Sequence, residues 1–202
     1  MASVSLKKGQ RVSLKKKDGN PLLRGMVGLG WDPVEKSDGG GFFSGLLGGG
    51  SNDDEIDLDA SIGMFDVGGS MIDVVYYPPS KHNSKCGSLH HKGDNRTGEG
   101  EGDDEKIDID FTRIPANVQT LVVTVNSFTG QTFNDVKNAF VRMVDDQGNE
   151  LVRYDLTDQG AYSAMVMMKI YRKDGGWKVQ AIGALEQGAT IHKLTDAMAR
   201  YV

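Results

Sequence analysis

Apolar and polar residues alternate in several segments of this 202-residue chain, and a period of two is typical of β-strands. The motif VSLKK occurs at residues 4–8 and again at 12–16, which predicts a strand pair or one strand with a tight break. KDGG joins two apolar runs at residues 162–172 and 177–185, and Asp-Gly and Gly-Gly are strong hairpin signals. DDQGN at residues 145–149 predicts a second hairpin.

The C-terminus departs from this alternation. Ile191, Leu194, Met198 and Tyr201 recur at the spacing of one helix face, so an amphipathic helix is expected there. The chain length suits one domain, and 27 glycines indicate many turns. The sequence therefore predicts a mainly β protein, an antiparallel β-sandwich with short helices, folded as a single domain over residues 1–202.

Two acidic segments share one pattern. DDEIDLDAS at residues 53–61 and DDEKIDIDFT at residues 103–112 each place an acidic triplet before an alternating strand. A turn and a second strand are expected after each, so the two units are interpreted as related halves of the sandwich. The period of two puts Asp57 and Asp59 on one strand face, where like charges repel unless they are solvated or neutralised.

The segment GDNRTGEGEGDDE at residues 93–105 offers many oxygen ligands. Its side-chain oxygens belong to Asp94, Asn95, Glu99, Glu101, Asp103, Asp104 and Glu105. Glycines let the backbone curl and direct carbonyls inward, and Ca²⁺ takes about six to eight such oxygens. The spacing does not follow an EF-hand, so two alternatives stay open: a calcium site shared with the acidic strand, or an acidic loop solvated by water.

Composition argues against several functional classes. The net charge is −5, but the acidic residues concentrate in the two segments and leave the rest of the chain mildly basic. Clustered carboxylates repel phosphates, so nucleic acid is not an expected partner. No apolar run is long enough for a transmembrane segment, and the N-terminus does not look like a signal peptide. Without a P-loop, a G-x-S-x-G motif or a dinucleotide fingerprint, an enzyme is not expected.

Two other segments carry weaker signals. Cys86 is the single cysteine, which excludes an internal disulfide and fits a reducing compartment. Together with His82, His90 and His91 it could form a soft-metal or oxyanion-reactive patch, although the spacing matches no zinc motif. Residues 42–47, FFSGLL, lie in a glycine-rich insertion at about 37–52, which is interpreted as a flexible surface loop or an apolar finger that docks on a partner.

Several of these segments resemble the TerD family of tellurium-resistance and stress proteins. VGLGWDP, IDLDAS, GDNRTGEGEGDDE and VNSFTGQTFNDVKNAF carry the resemblance, and the glycine-rich insertion looks most like the TerZ branch. The resemblance implies a cytoplasmic β-sandwich that binds about one or two Ca²⁺ ions. It also implies a non-catalytic role in tellurite resistance and stress tolerance, beside other Ter proteins that include an integral membrane one.

The same resemblance implies a set of ligands. Carried over by position, the family's acidic motifs fall on Asp57, Asp59, Asp94, Asn95, Asp103, Asp104 and Glu105. Glu101 stands where an aspartate is common, and Asp108 and Asp110 lie outside the motif. The alternative function is direct handling of tellurium oxyanions by Cys86 and the histidines near it.

Overall fold

The computed structural model describes residues 3–34, 57–93, 102–127, 130–156, 160–188 and 190–202. In chain order the elements are β1 (Val4–Ser5), β2 (Arg11–Ser13), β3 (Arg24–Pro33), β4 (Leu58–Phe65), β5 (Met71–Val75), a short 3-10 helix (Pro79–Lys81), β6 (Leu89–His91), β7 (Glu105–Asp110), β8 (Thr120–Ser127), β9 (Val136–Asp145), β10 (Glu150–Asp155), β11 (Ala164–Lys173), β12 (Gly176–Glu186) and α1 (Ile191–Ala199). The glycine-rich insertion and the candidate ligands Asp94 and Asn95 lie outside the described residues.

The strands form two sheets of six. The first sheet has the order β1-β10-β9-β3-β7-β6, and the second has the order β2-β12-β11-β8-β4-β5. β1 runs parallel to β10, while the other neighbouring strands are antiparallel. The predicted antiparallel sandwich and its C-terminal helix are confirmed.

Both predicted hairpins are present. β9 and β10 pair around residues 145–149, where the Asp145 carboxylate accepts hydrogen bonds from the main-chain N–H groups of Gln147 and Asn149. β11 and β12 pair around Asp174 and Gly175, which both have positive φ angles of 55° and 72°. Two successive residues with positive φ are what a two-residue hairpin turn requires, which explains the Asp-Gly sequence.

The core lies between the sheets, and a second apolar layer covers one of them. Alternate residues such as Ile107 of β7 and Ile62 of β4 are fully buried between the sheets. On the outer face of the second sheet, Leu194 and Met198 of α1 pack against Phe65. Each such side chain stabilises the fold by about 1.5–3 kcal/mol through burial. α1 therefore shields part of the outer face of β4 and β8, which would otherwise meet water.

The two acidic units do not fold alike, so their interpretation as related halves is wrong. β4 and β5 pair as a hairpin within the second sheet. β7 and β8 lie in different sheets, and residues 111–119 cross between them. The VSLKK segments also separate, because β1 joins the first sheet and β2 joins the second. In each case the repeated sequence has the same strand periodicity but a different hydrogen-bonding neighbour.

Candidate metal centre

The two acidic segments meet where β4 begins. Glu105, the first residue of β7, is fully buried, and its carboxylate accepts a hydrogen bond from the main-chain N–H of Ala60 in β4. His91 of β6 donates from Nε2 to the carbonyl oxygen of Ala60 over 3.3 Å. β5 pairs with β4 only from Ile62 onward, so among the described residues no strand lies beside the main chain of Ala60 on that side. The two side chains of the first sheet supply the partners that a strand would otherwise provide.

His91 also fixes one end of the acidic loop. The main-chain N–H of Gly93 donates to Nδ1 of His91 over 3.2 Å. With Nδ1 accepting and Nε2 donating, the ring fits the neutral tautomer that carries its proton on Nε2. Gly93 directly precedes residues 94–101 in the sequence, and this bond places Gly93 itself close to His91 and β4.

Asp57 and Asp59 are buried at the same end of β4, with 5% and 2% of their surface exposed. Asp59 lies opposite Asn126 of β8 in the strand register. Nδ2 of Asn126 donates to Oδ2 of Asp59 over 3.2 Å. A buried carboxylate is stable in its ionised form only where hydrogen-bond donors or positive charge compensate for lost water, and Asn126 supplies one such donor.

Asp103 points toward the outer face of the first sheet. Its two carboxylate oxygens accept hydrogen bonds from Nε and Nη2 of Arg142 in β9, over 2.7 and 2.9 Å. This bond is the main cause of the raised pKa of Arg142. The carboxylate lies directly over Gly28, where a Cβ atom would come within 2.3 Å of Oδ1. Glycine at this position lets the end of the acidic loop rest on β3.

Asp104 extends the pairing of β7 with β3. Its main-chain N–H donates to the carbonyl oxygen of Leu29 over 2.8 Å, and its Oδ2 accepts from the main-chain N–H of Trp31 over 2.9 Å. Burial raises the pKa of the Asp104 carboxyl above its ordinary value, and the nearby charges of Asp32 and Asp103 act in the same direction. The three consecutive acids 103–105 thus contact three different partners.

The described residues form only part of the predicted ligand set. The structure brings Asp57, Asp59 and Glu105 to one end of β4, whereas Asp103 and Asp104 lie against β3. Within the described ranges, no group of three or more histidine, cysteine, aspartate or glutamate side chains is placed to hold a metal ion. All-oxygen ligands suit Ca²⁺ better than Zn²⁺, but the described carboxylates alone do not complete a calcium shell.

Sequence reasoning missed three residues that organise this region. Asn126 contacts Asp59, Arg142 pairs with Asp103, and His91 contacts both Ala60 and Gly93. Asn126 lies 67 positions from Asp59 and Arg142 lies 39 positions from Asp103, so no local sequence pattern identifies these contacts. His91 stands in a predicted candidate patch, but its position on β6 was needed to show its structural role.

Cys86 and its neighbouring histidines do not form a metal-binding group within the described ranges, although the rings of His82 and His91 stack with their centroids 5.3 Å apart. Cys86 Sγ lies 3.5 Å from Ser84 Oγ and 3.0 Å from Ser88 Oγ. Burial acts to raise the pKa of the Cys86 thiol, but hydrogen bonds with Ser84 and Ser88 outweigh it, so this pKa is lowered. The histidines instead bond elsewhere: His82 to the carbonyl of Tyr77, His90 to Asn83 and His91 to the carbonyl of Ala60.

Comparison with known proteins connects this arrangement to a family. The TerD domain matches residues 1–197. The chain is 48% identical to tellurium resistance protein TerZ of Serratia marcescens, over 93% of both chains. It is 43% identical to stress response protein SCP2 of Bacillus subtilis, over 99% of this chain and 100% of that one.

A solved structure supports the fold. It is a homologue of telluride resistance protein TerD from Streptomyces coelicolor, 19% identical, with a TM-score of 0.68 over 88% of this chain and 98% of the other. In the part of the chain that the structure describes, no helix has the length and apolar character needed to span a membrane. The resemblance seen in the sequence is confirmed, including its TerZ-like character, and the chain belongs to the TerD family of tellurium-resistance and stress-response proteins.

Proposed function

We propose that this protein is a non-enzymatic, calcium-binding module of the tellurite and stress response. The observation that carries the proposal is the pair of buried carboxylates at the start of β4, Asp57 and Asp59, beside the point where Glu105 bonds to Ala60. Two buried carboxylates this close in sequence favour a bound cation, since a cation offsets the repulsion and the lost hydration of their ionised forms.

The acidic loop is anchored where it can contribute. Gly93 is held beside β4 through His91, and Asp103 and Asp104 are held against β3 through Arg142 and Trp31. We assign Asp57, Asp59, Asp94, Asn95, Asp104 and Glu105 as the ligands of Ca²⁺. Asp103 acts by position, because Arg142 engages both of its carboxylate oxygens.

Calcium in this place would connect the two sheets. β4 belongs to the second sheet and β7 to the first, so ligands from both give the ion a stabilising effect on the whole sandwich. A ligand present at a hundred times its Kd stabilises the folded state by about 2.7 kcal/mol. The ordered acidic loop then offers a surface for other Ter proteins or a membrane-associated complex in the cytoplasm. The relatives, a tellurium resistance protein and a stress response protein, support this setting.

Calorimetric titration of Ca²⁺ and then Mg²⁺ into chelator-stripped protein tests the proposal. Asp57→Asn/Asp59→Asn is compared with Asp108→Asn/Asp110→Asn, which changes the charge equally at partly exposed positions of β7. We expect calcium-selective binding that the first pair weakens by roughly a hundredfold and the control pair leaves within about threefold. Equal weakening by both pairs, or no heat with the wild-type protein, would refute a site at β4.

Direct handling of tellurium oxyanions by Cys86 is the competing function. The lowered pKa of its thiol favours the nucleophilic thiolate, but its neighbours are hydroxyls rather than the three histidines. Cys86→Ser distinguishes the two functions in cells challenged with tellurite. Full resistance of this variant supports the calcium module, and loss of resistance with unchanged calcium binding supports the thiol.

A further inference from the structure

A cavity of about 460 Å³ lies at the end of the sandwich opposite the start of β4. It opens between the sheets, where the β11–β12 hairpin approaches the segment before β3 and the end of β7. Its walls are lined in part by Leu14, Leu22, Phe111 and Trp177. Ligand cavities in proteins commonly measure about 300–1,000 Å³, so a small molecule would fit here.

The indole of Trp177 is held in place within this wall. The ring of Phe111 lies 5.2 Å from it, centroid to centroid, and the guanidinium of Arg172 lies 4.4 Å from the indole centroid. Arg172 itself donates to the carbonyl oxygens of Val118 and Ile114, over 3.0 and 2.9 Å. A preorganised aromatic surface costs little entropy when a ligand binds to it.

The mouth of the cavity exposes apolar surface to water. Leu23 is 54% exposed and lines the cavity beside the buried Leu22. Within the described ranges it is one of three large apolar side chains with substantial exposure, the others being Val34 and Val67. A partly exposed leucine next to a concave apolar wall is typical of a ligand-binding groove.

The charges around the mouth are mostly positive. Lys15, Lys173 and Lys178 line the cavity together with a single carboxylate, Asp174. Asp174 pairs with Lys178 over 2.7 Å and also lies in the field of Lys173, while no carboxylate of the described residues pairs with Lys15. The net positive charge complements an anionic group held at the rim.

We propose that this cavity binds a small organic anion with an apolar body, such as an aromatic or aliphatic carboxylate or sulfonate. The body contacts Trp177 and Leu23, and the anionic group lies between Lys15 and Lys173. This binding site is separate from the calcium site, since the two occupy opposite ends of the strands.

Two-dimensional NMR of the full chain tests this, with anilinonaphthalene sulfonate as the probe and its uncharged relative phenylnaphthylamine as the comparison. We expect saturable shifts at the indole N–H of Trp177 and at residues 21–23 and 173–178, while the indole of Trp31 in the core stays unchanged. Lys15→Glu/Lys173→Glu should weaken binding by roughly five- to tenfold. Lys85→Glu/Lys193→Glu, which changes the net charge equally at distant exposed positions, should have little effect.

Leu23→Ser provides a second variant that leaves the buried core intact, and it should also weaken binding. Shifts centred elsewhere, equal effects of the two lysine pairs, or equal binding of the uncharged relative would each overturn the proposal. Calcium titration of Lys15→Glu/Lys173→Glu separates this result from the proposed metal function, because calcium binding should be retained in that variant.

Discussion

Strands β4 and β7 follow the same acidic sequence pattern, yet they are buried differently. All eight residues of β4 are buried, whereas β7 alternates between buried and partly or fully exposed residues. β4 has strand neighbours β5 and β8, and α1 contacts it from outside the second sheet. The outer face of β7 instead lines a groove of about 680 Å³ on the first sheet. The period of two defines which residues share a face, but the elements packed on that face decide how deeply it is buried.

The difference changes the chemistry of the aspartates. Asp59 of β4 is buried and bonded to Asn126. In β7, Asp108 pairs with Lys92 over 2.5 Å and Asp110 pairs with Arg24 over 3.1 Å, both at the surface. Asp108 and Asp110 are therefore neutralised by Lys92, which follows β6, and by Arg24 of β3. Asp59 of β4 depends instead on the interior donor Asn126 and, in our proposal, on calcium.

Glu105→Ala should cause the largest loss of stability, because the side chain of Glu105 in β7 is hydrogen-bonded to the main chain of β4. The substitution removes the acceptor of the Ala60 N–H in a fully buried place, so we expect a loss of about 2–4 kcal/mol in the free energy of unfolding. Glu105→Gln keeps an acceptor oxygen and should lose less. Urea unfolding followed by circular dichroism measures both losses.

Asp108→Ala is the matched control for Glu105→Ala. It removes an acid from the same strand on the partly exposed face, where a surface ion pair contributes at most about 1 kcal/mol. If the two alanine variants lost the same free energy of unfolding, the hydrogen bond between Glu105 and Ala60 would contribute no more to stability than a surface ion pair.

Local sequence patterns predicted the local structure well. The hairpins at residues 145–149 and 173–176 and the helix at Ile191–Ala199 depend on neighbouring residues, which the sequence shows directly. The placement of β7 and β8 in different sheets could not be predicted in this way. Nothing in the turn between them encodes which sheet the chain joins next, since both strands have the same periodicity.

The candidate site shows the same limit. The pattern identified the acidic strands and the acid triplet at residues 103–105, but it treated the three acids as equivalent ligands. Their different roles come from Arg142, Trp31 and Ala60, which lie far away in sequence. Long-range partners of this kind follow from the strand register, and the register is a property of the folded sheet.

Gly28→Ala should have an intermediate effect on stability, because it disturbs Asp103 just before β7 and leaves β4 unchanged. A Cβ atom at residue 28 would lie 2.3 Å from the carboxylate of Asp103, so the loop must move away from Arg142. We expect the free energy of unfolding, measured by thermal or urea unfolding, to fall by about 1–3 kcal/mol. Gly176→Ala is the control, because the nearest atom to its added Cβ, the carbonyl oxygen of Lys173, is 4.0 Å away. Equal losses of unfolding free energy in both variants would mean that the close packing of Asp103 on Gly28 does not stabilise the fold.

The smallest expected effect concerns Asp110 and its pH dependence. Its hydrogen bond from Thr112 is the largest cause that lowers the pKa of Asp110 below the ordinary value of 3.8, and Arg24 adds to it. Because this pKa is lower in the folded than in the unfolded state, the ionised Asp110 stabilises the protein at pH values above the ordinary pKa of 3.8. This stabilisation disappears as the pH falls through the folded-state pKa. Asp110→Asn should therefore show a shallower loss of stability than the wild-type protein below about pH 4.

Urea unfolding at a series of acidic pH values measures this difference. Thr112→Ala should reproduce part of it, because the substitution removes the side-chain donor but leaves the main-chain N–H of residue 112 bonded to Asp110. The total change should stay below about 1 kcal/mol, as expected for a surface ion pair. If the Asp110→Asn and wild-type proteins lost stability in parallel, the surface acids of β7 would be neutralised without stabilising the fold. Stabilisation by acidic residues in this region would then come entirely from the buried Asp57, Asp59 and Glu105, and none of it from the surface acids.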